Sequence, residues 1–175
     1  MRLLSAIAER RTPIAVAAGA LLIDQVTKDL AVTLLTGEAP VTVGPLALTF
    51  ARNPGAALGA FGALPESLRL PIVFFLTALV VFGLLPLIAI RVQSGRRRQV
   101  GISLVVSGAL GNLIDRVRHG FVIDFLTLNP RLSERFPIFN LADVALVSGA
   151  LLLILFLRRG DLRPASALLG MCVPA

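Results

Sequence analysis

Four stretches of this 175-residue chain set polar or ionisable side chains among apolar ones. In Asp24-Gln25-Val26-Thr27-Lys28, Asp24 and Lys28 are four residues apart and share a helix face. Taken alone, they read as a local ion pair where a helix leaves a membrane. Arg52-Asn53-Pro54-Gly55-Ala56-Ala57 reads as a turn, although its Asn carries donors and acceptors suited to a peptide backbone. In Gly108-Ala109-Leu110-Gly111-Asn112-Leu113-Ile114-Asp115-Arg116, Ser107 and Gly111 form a small-xxx-small pair for close helix packing. Asn112 and Arg116 again share a face, and packing leaves Asn112 unexplained. The fourth place combines Val122-Ile123-Asp124-Phe125 with Phe139-Asn140-Leu141-Ala142-Asp143. Asn140 and Asp143 are three residues apart and point the same way on a helix, and the helix macrodipole accounts for Asp143 near its N-terminus. It does not account for Asp124 between apolar neighbours.

Two carboxylates held close in an apolar site cannot both ionise easily, so the pair shares a proton. That state suits peptide hydrolysis: the ionised acid takes a proton from water and the protonated one donates to the scissile carbonyl. Other nucleophiles fit poorly. Cys172 lies in the tail without a base, and His119 is the only histidine, which disfavours a zinc site. Ser107 and Ser148 have no evident histidine partner. No cofactor or metal is expected. Spacing does not establish that Asp124 and Asp143 meet.

The surrounding composition is that of a membrane protein. Hydrophobic residues make up 56% and charged residues 15%, against about 25% charged in an ordinary soluble domain; mean hydropathy is +0.87. The net charge of +7 raises nucleic acid as a partner, but Trp and Tyr are absent and the arginines flank apolar runs instead of forming a stripe with stacking aromatics. No nucleic-acid partner is expected.

Four transmembrane helices are expected: Pro13 to Leu35, Leu70 to Ile90, a shorter Val100 to Ile114 with room to extend through Gln99 and the Asp115 region, and Ile138 to Leu157. The N-terminal run resembles a signal peptide but continues past Ala15-Val16-Ala17, as an uncleaved helix would. Arg2, Arg10, Arg11, Arg91, Arg96, Arg97, Arg98, Arg158, Arg159 and Arg163 lie at the ends and in the second loop. By the positive-inside rule, both termini and that loop are cytoplasmic. Loops Thr36 to Arg69 and Asp115 to Pro137 then face outward. In the first of these, Val41-Thr42-Val43 and Leu46 to Phe50 flank Gly44-Pro45 and read as a short β-hairpin. The division expected is a membrane domain over 1–160 and a cytoplasmic tail over 161–175.

Taken in order, Asp24-Gln-Val-Thr-Lys28, Asn53-Pro-Gly55-Ala-Ala57, Gly111-Asn-Leu-Ile-Asp-Arg116, Val122-Ile-Asp-Phe125 and Phe139-Asn-Leu-Ala-Asp-Val144 resemble the signature blocks of lipoprotein signal peptidase, or signal peptidase II. The resemblance covers roughly Leu21 to Leu157. It implies that Asp124 and Asp143 are the catalytic pair of an aspartyl endopeptidase of the bacterial inner membrane, active near the extracytoplasmic face. It further implies that Asp24, Asn53, Asn112, Arg116 and Asn140 line or support the site, with Lys28, Gly55 and Asp115 beside them. The hairpin would become a small sheet on the outer membrane surface. The implied substrate is a diacylglyceryl-modified prolipoprotein cut just before its lipidated cysteine, and globomycin is the implied inhibitor. The acyl chains would stay in membrane lipid, so apolar residues such as Phe121, Ile123, Phe125, Ile138, Phe139 and Leu141 are expected around the pair. A monomer is expected to suffice. Leu58 stands where the family pattern has Phe, a conservative apolar change. The competing readings are a small proton- or ion-coupled transporter with relay carboxylates, a non-catalytic scaffold, and a serine intramembrane protease.

Overall fold

The computed structural model describes residues 2–55, 64–84, 95–129 and 136–156. The small-residue run after Gly55, the loop near Arg91, Arg131, Glu134 and Arg135, and the tail with Cys172 lie outside these residues. Helix α1 (Arg2–Leu35) leads to strands β1 (Val41–Val43) and β2 (Leu46–Asn53). Helix α2 (Glu66–Ala78) continues into a π-helical segment, Leu79–Leu84. Helix α3 (Arg96–His119), strand β3 (Val122–Leu128) and helix α4 (Leu141–Phe156) follow.

Burial is inverted relative to a soluble protein. Buried side chains include Asp24, Lys28, Ser107, Asn112, Asp115, Arg116, Asp124 and Asn140, whereas Ile14, Leu22, Phe75, Phe82, Ile154 and Leu155 are exposed. In water, such extensive apolar exposure would be costly and the buried charges would need full partnering. In a bilayer, the apolar exterior is solvated by lipid and the polar groups turn inward. Among the described helices, α3 alone has the length and mean apolarity to cross a membrane by itself; α1 carries Asp24, Lys28 and Asp29, and α4 is shorter.

The helices approach closely where side chains are small. A Cβ on Gly149 would lie 2.6 Å from the Gly101 carbonyl oxygen, and one on Gly108 would overlap the Ala142 carbonyl. Helices α3 and α4 are therefore nearly in backbone contact. Their antiparallel order places Arg97, near the start of α3, over the ring of Phe156 at the end of α4, at 4.8 Å. On the other side, Gly111 leaves room for the Asp24 carboxylate from α1.

The expected hairpin is present, with Val41 opposite Leu48 and Val43 opposite Leu46. The structure adds a strand. β3 pairs antiparallel with β2 and completes the order β1-β2-β3. Asp124 thus lies on a strand and not in an open loop. The expected outer loop from Asp115 to Pro137 is also corrected at its start: α3 runs to His119, so Asp115 and Arg116 are helical and buried. They remain inside the helix because interior groups satisfy them. The helix ends at Gly120, whose φ of 80° is readily adopted by glycine, and the chain reverses into β3. Helix α2 begins at Glu66, ahead of the expected Leu70.

Candidate active site

Asp124 is placed by the sheet. Ala51 pairs with Asp124 and Asn53 with Val122, but a bulge lies between Leu48 and Ala51. Without this extra residue, Leu48 opposite Leu126 would bring Arg52 onto the face of Asp124. With it, Asn53 occupies that face as the diagonal neighbour of Asp124. Asn53 Nδ2 donates to Asp124 Oδ2 at 2.8 Å. Arg52 turns the other way, stacking over Phe50 and Phe121.

Asp143 is placed by a clamp on β3. Phe139 N–H donates to Leu126 O at 2.8 Å, and Phe125 and Leu126 N–H both point to Phe139 O. This pins the segment leading into α4 beside Asp124. Asn140 then caps the helix: its Oδ1 accepts the Asp143 N–H at 2.9 Å, and its own N–H donates to Asp143 Oδ2 at 3.3 Å. The exchange has the form of a capping box. The fully buried Asn140 side chain also donates through Nδ2 to Asp124 Oδ1 at 2.6 Å. One asparagine therefore touches both carboxylates.

Behind them lies a buried polar layer. Asn112 Nδ2 donates to Asp143 Oδ1 at 2.9 Å, and its Oδ1 accepts from Lys28 Nζ at 3.0 Å and Asn140 Nδ2 at 3.2 Å. Lys28 Nζ lies 2.9 Å from both Asp24 Oδ2 and Asp115 Oδ2. Arg116 donates to Gly55 O and Asn112 O, both at 3.1 Å, and Gly55 N–H donates to Asn53 Oδ1 at 3.1 Å. Asp24, Lys28, Asn53, Gly55, Asn112, Asp115, Arg116, Asp124, Asn140 and Asp143 thus fall in one connected network. Of the six apolar residues expected around the pair, Ile123 and Phe125 are buried, and the other four are half-buried.

The two acids have unlike surroundings. Asp124 is 2% exposed, and burial, with Asp143 nearby adding to it, pushes its carboxyl up to about 6 against the hydrogen bonds from Asn53 and Asn140. Asp143 is half-buried at a helix N-terminus. It accepts from Asn112 Nδ2 and from the Asn140 N–H. The arrangement therefore sets a deeply buried carboxyl at Asp124 beside a half-buried one at Asp143. Since Asn53 donates to the charged form of Asp124, removing it favours the protonated form. Asn53→Ala is expected to move the alkaline limb of the kcat/KM–pH profile to higher pH and to lower the plateau about 10-fold. An unmoved limb would detach Asn53 from proton control.

The signal peptidase (SPase) II family model matches residues 16–159. The chain belongs to the signal peptidase II family. The lipoprotein signal peptidase of Clostridium acetobutylicum is 34% identical over 82% of this chain and 92% of its own length. That of Staphylococcus carnosus is 42% identical over 78% of this chain and 84% of its own. A bacterial membrane enzyme solved by the in meso method at 1.9 Å resolution shares 35% identity and a TM-score of 0.71, covering 85% of this chain and 93% of that one. A second such structure, at 2.3 Å, has 36% identity and the same TM-score over 82% and 85%. The chain therefore shares the fold of a membrane enzyme, a helical body with a three-stranded sheet. Membership also disfavours the transporter reading.

Sequence reasoning passed over Gln25. Its Nε2 reaches Asp24 Oδ2, Asp115 Oδ1 and Gly111 O within 3.3 Å, tying α1 to α3. A polar residue beside Asp24 in an apolar run was the available signal. The contact of Asn140 with Asp124 had no such signal.

Proposed function

We propose that this signal peptidase II is an aspartyl endopeptidase that removes the signal peptide from diacylglyceryl-modified prolipoproteins, cutting just before the lipidated cysteine. The observation that carries the reading is the contact of Asn140 with both Asp124 and Asp143. It gathers two carboxylates of unlike environment about one point. In the proposed reaction, a water molecule lies between them. Asp143 accepts its proton as the oxygen attacks the scissile carbonyl, and Asp124 donates a proton to the carbonyl oxygen. Collapse of the tetrahedral centre expels the amine of the lipidated cysteine, which takes up a proton from the pair. Water is consumed, and the peptide bond becomes a carboxylate and an amine.

The placement suits such a substrate. The network lies at the end of the bundle opposite Arg96, Arg97 and Arg98. With those arginines at the cytoplasmic side, the pair lies near the extracytoplasmic face of the inner membrane. In this proposed topology the chain crosses four times, with both termini inside, and the sheet rests on the outer surface. The lipid tails remain against the apolar exterior, contributing about 0.8 kcal/mol per buried methylene. Globomycin, a cyclic peptide antibiotic, would compete for the same place.

The test is cleavage by the purified full chain of a lipobox peptide, with and without the diacylglyceryl group on its cysteine. The lipidated peptide is expected to be cut on the amino side of the cysteine, with kcat/KM at least about 100-fold above that of the control. Equal turnover of both peptides would overturn the lipid-dependent reading.

A further inference from the structure

Lys28 contacts neither carboxylate of the pair, yet its ammonium is connected to both. It bridges Asp24 Oδ2 and Asp115 Oδ2, each at 2.9 Å, with all three residues about 1% exposed. The other oxygen of Asp24 accepts the N–H of Ala142 at 2.8 Å. Asp115 Oδ2 also accepts the N–H of Ile123 at 3.1 Å. Ala142 immediately precedes Asp143, and Ile123 immediately precedes Asp124. Each acid held by Lys28 thus grips the backbone one residue before one member of the pair. The third contact of the ammonium, Asn112 Oδ1, leads through the same side chain to Asp143 Oδ1.

We propose that Lys28 is a positioning residue: through Asp24 and Asp115 it fixes the spacing of the segments that carry Asp143 and Asp124. This rests on the reading of those two aspartates as the reacting pair. Lys28 stands on α1, whereas Asp143 is on α4 and Asp124 on β3. Its three charge-assisted contacts leave the ammonium little freedom. The ammonium in turn bonds both buried carboxylates. Catalysis by paired acids depends on sub-ångström placement, and a displacement of about 1 Å costs about 100-fold in rate.

The experiment compares full-length wild type, Lys28→Met and the charge-balanced double variant Lys28→Met/Asp24→Asn on the diacylglyceryl lipobox peptide. Rates are normalised to the monodisperse protein, and amide exchange is followed at Ile123 and Ala142. In the double variant, the asparagine oxygen can still accept the Ala142 N–H, the net charge of the trio stays as in the wild type, and the remaining carboxylate, Asp115, keeps the Gln25 Nε2 and Ile123 N–H donors. Both variants are expected to lose about 100-fold in kcat with KM within about 2-fold, and both amides to exchange faster. If Lys28 serves only to stabilise the fold, the double variant recovers wild-type kcat per folded molecule with unchanged exchange, which overturns the proposal. If Lys28→Met fails to fold, the double variant decides alone. Asp124→Asn and Asp143→Asn run alongside: wild-type kcat in either would sink the aspartyl reading itself, whatever Lys28 does.

Discussion

Asp124→Asn and Asp143→Asn are each expected to abolish cleavage, with kcat reduced about 10⁴-fold or more, while moving thermal stability in opposite directions. Neither amide side chain can accept a proton from water or deliver one to a carbonyl oxygen at neutral pH. Stability separates them because their carboxyls are held differently. The Asp124 carboxyl is raised from 3.8 to about 6 by burial, so the folded state binds its proton more tightly than the unfolded state does. Its contribution to stability is present below about pH 4 and is lost as pH rises through about 6. At pH 7 the buried charge is a cost that Asp124→Asn removes, and Tm should rise by about 5 °C. The difference from wild type should close as the pH falls towards 4. Asp143→Asn loses the charged acceptor of the Asn140 N–H and the anion at the start of α4. Its Tm should fall by a few degrees. Turnover by the two variants in lipid-supplemented detergent, with melting curves at two pH values, checks both parts. Retained turnover in either would reject the pair.

The parts of this site that were legible in the sequence are those governed by local rules. Val41-Thr42-Val43 and Leu46 to Phe50 form the hairpin because both strands and their turn are contiguous. Asp24 and Lys28 form their ion pair because helix geometry alone brings i and i+4 together. Asn140 and Asp143 face the same way for a similar reason. Other features depend on partners far along the chain. Phe121 to Leu128 is a mostly apolar run that alternation does not mark as a strand, and its partners in β2 lie about seventy to eighty residues away. Asp115 and Arg116 lie beyond the apolar run of α3 and stay helical and buried because α1 and β3 donate to Asp115 while the Gly55 carbonyl accepts from Arg116. The bulge that selects Asn53 over Arg52 is a matter of register, for which the β2 sequence carries no separate sign.

These non-local features share a physical basis. In an apolar solvent a polar group has no water to fall back on, so every buried donor and acceptor must find its partner within the protein. The asparagines meet this demand because each offers both a donor and an acceptor. Asn112 accepts from Lys28 while donating to Asp143. Asn53 accepts from Gly55 N–H while donating to Asp124. Amides of this kind carry polarity from a charged layer to the two acids without adding charge of their own.

Asn140 offers the sharpest test of that principle, because it does two separable things. Its Oδ1 caps α4 by accepting the Asp143 N–H, and its Nδ2 holds Asp124 at 2.6 Å while lying 3.2 Å from both the Ile123 carbonyl and Asn112 Oδ1. Asn140→Ala removes both functions: loss of the cap costs about 1 kcal/mol, and loss of the tie to Asp124 is expected to lower kcat about 100-fold. Asn140→Ser restores a capping oxygen but cannot span to Asp124, so it should recover most of the stability and little of the rate. Asn140→Asp also retains an oxygen for the cap but sets a third acid against Asp124, and its kcat should fall about 1000-fold, below that of Asn140→Ala. Stability should therefore rank wild type and Ser above Ala, while activity ranks wild type far above Ser and Ala, with Asp lowest. Melting curves and single-turnover cleavage on the same preparations measure both orders. If Asn140→Ser recovered wild-type turnover, Asn140 would be a helix cap alone, and proximity of the two carboxylates would require another cause.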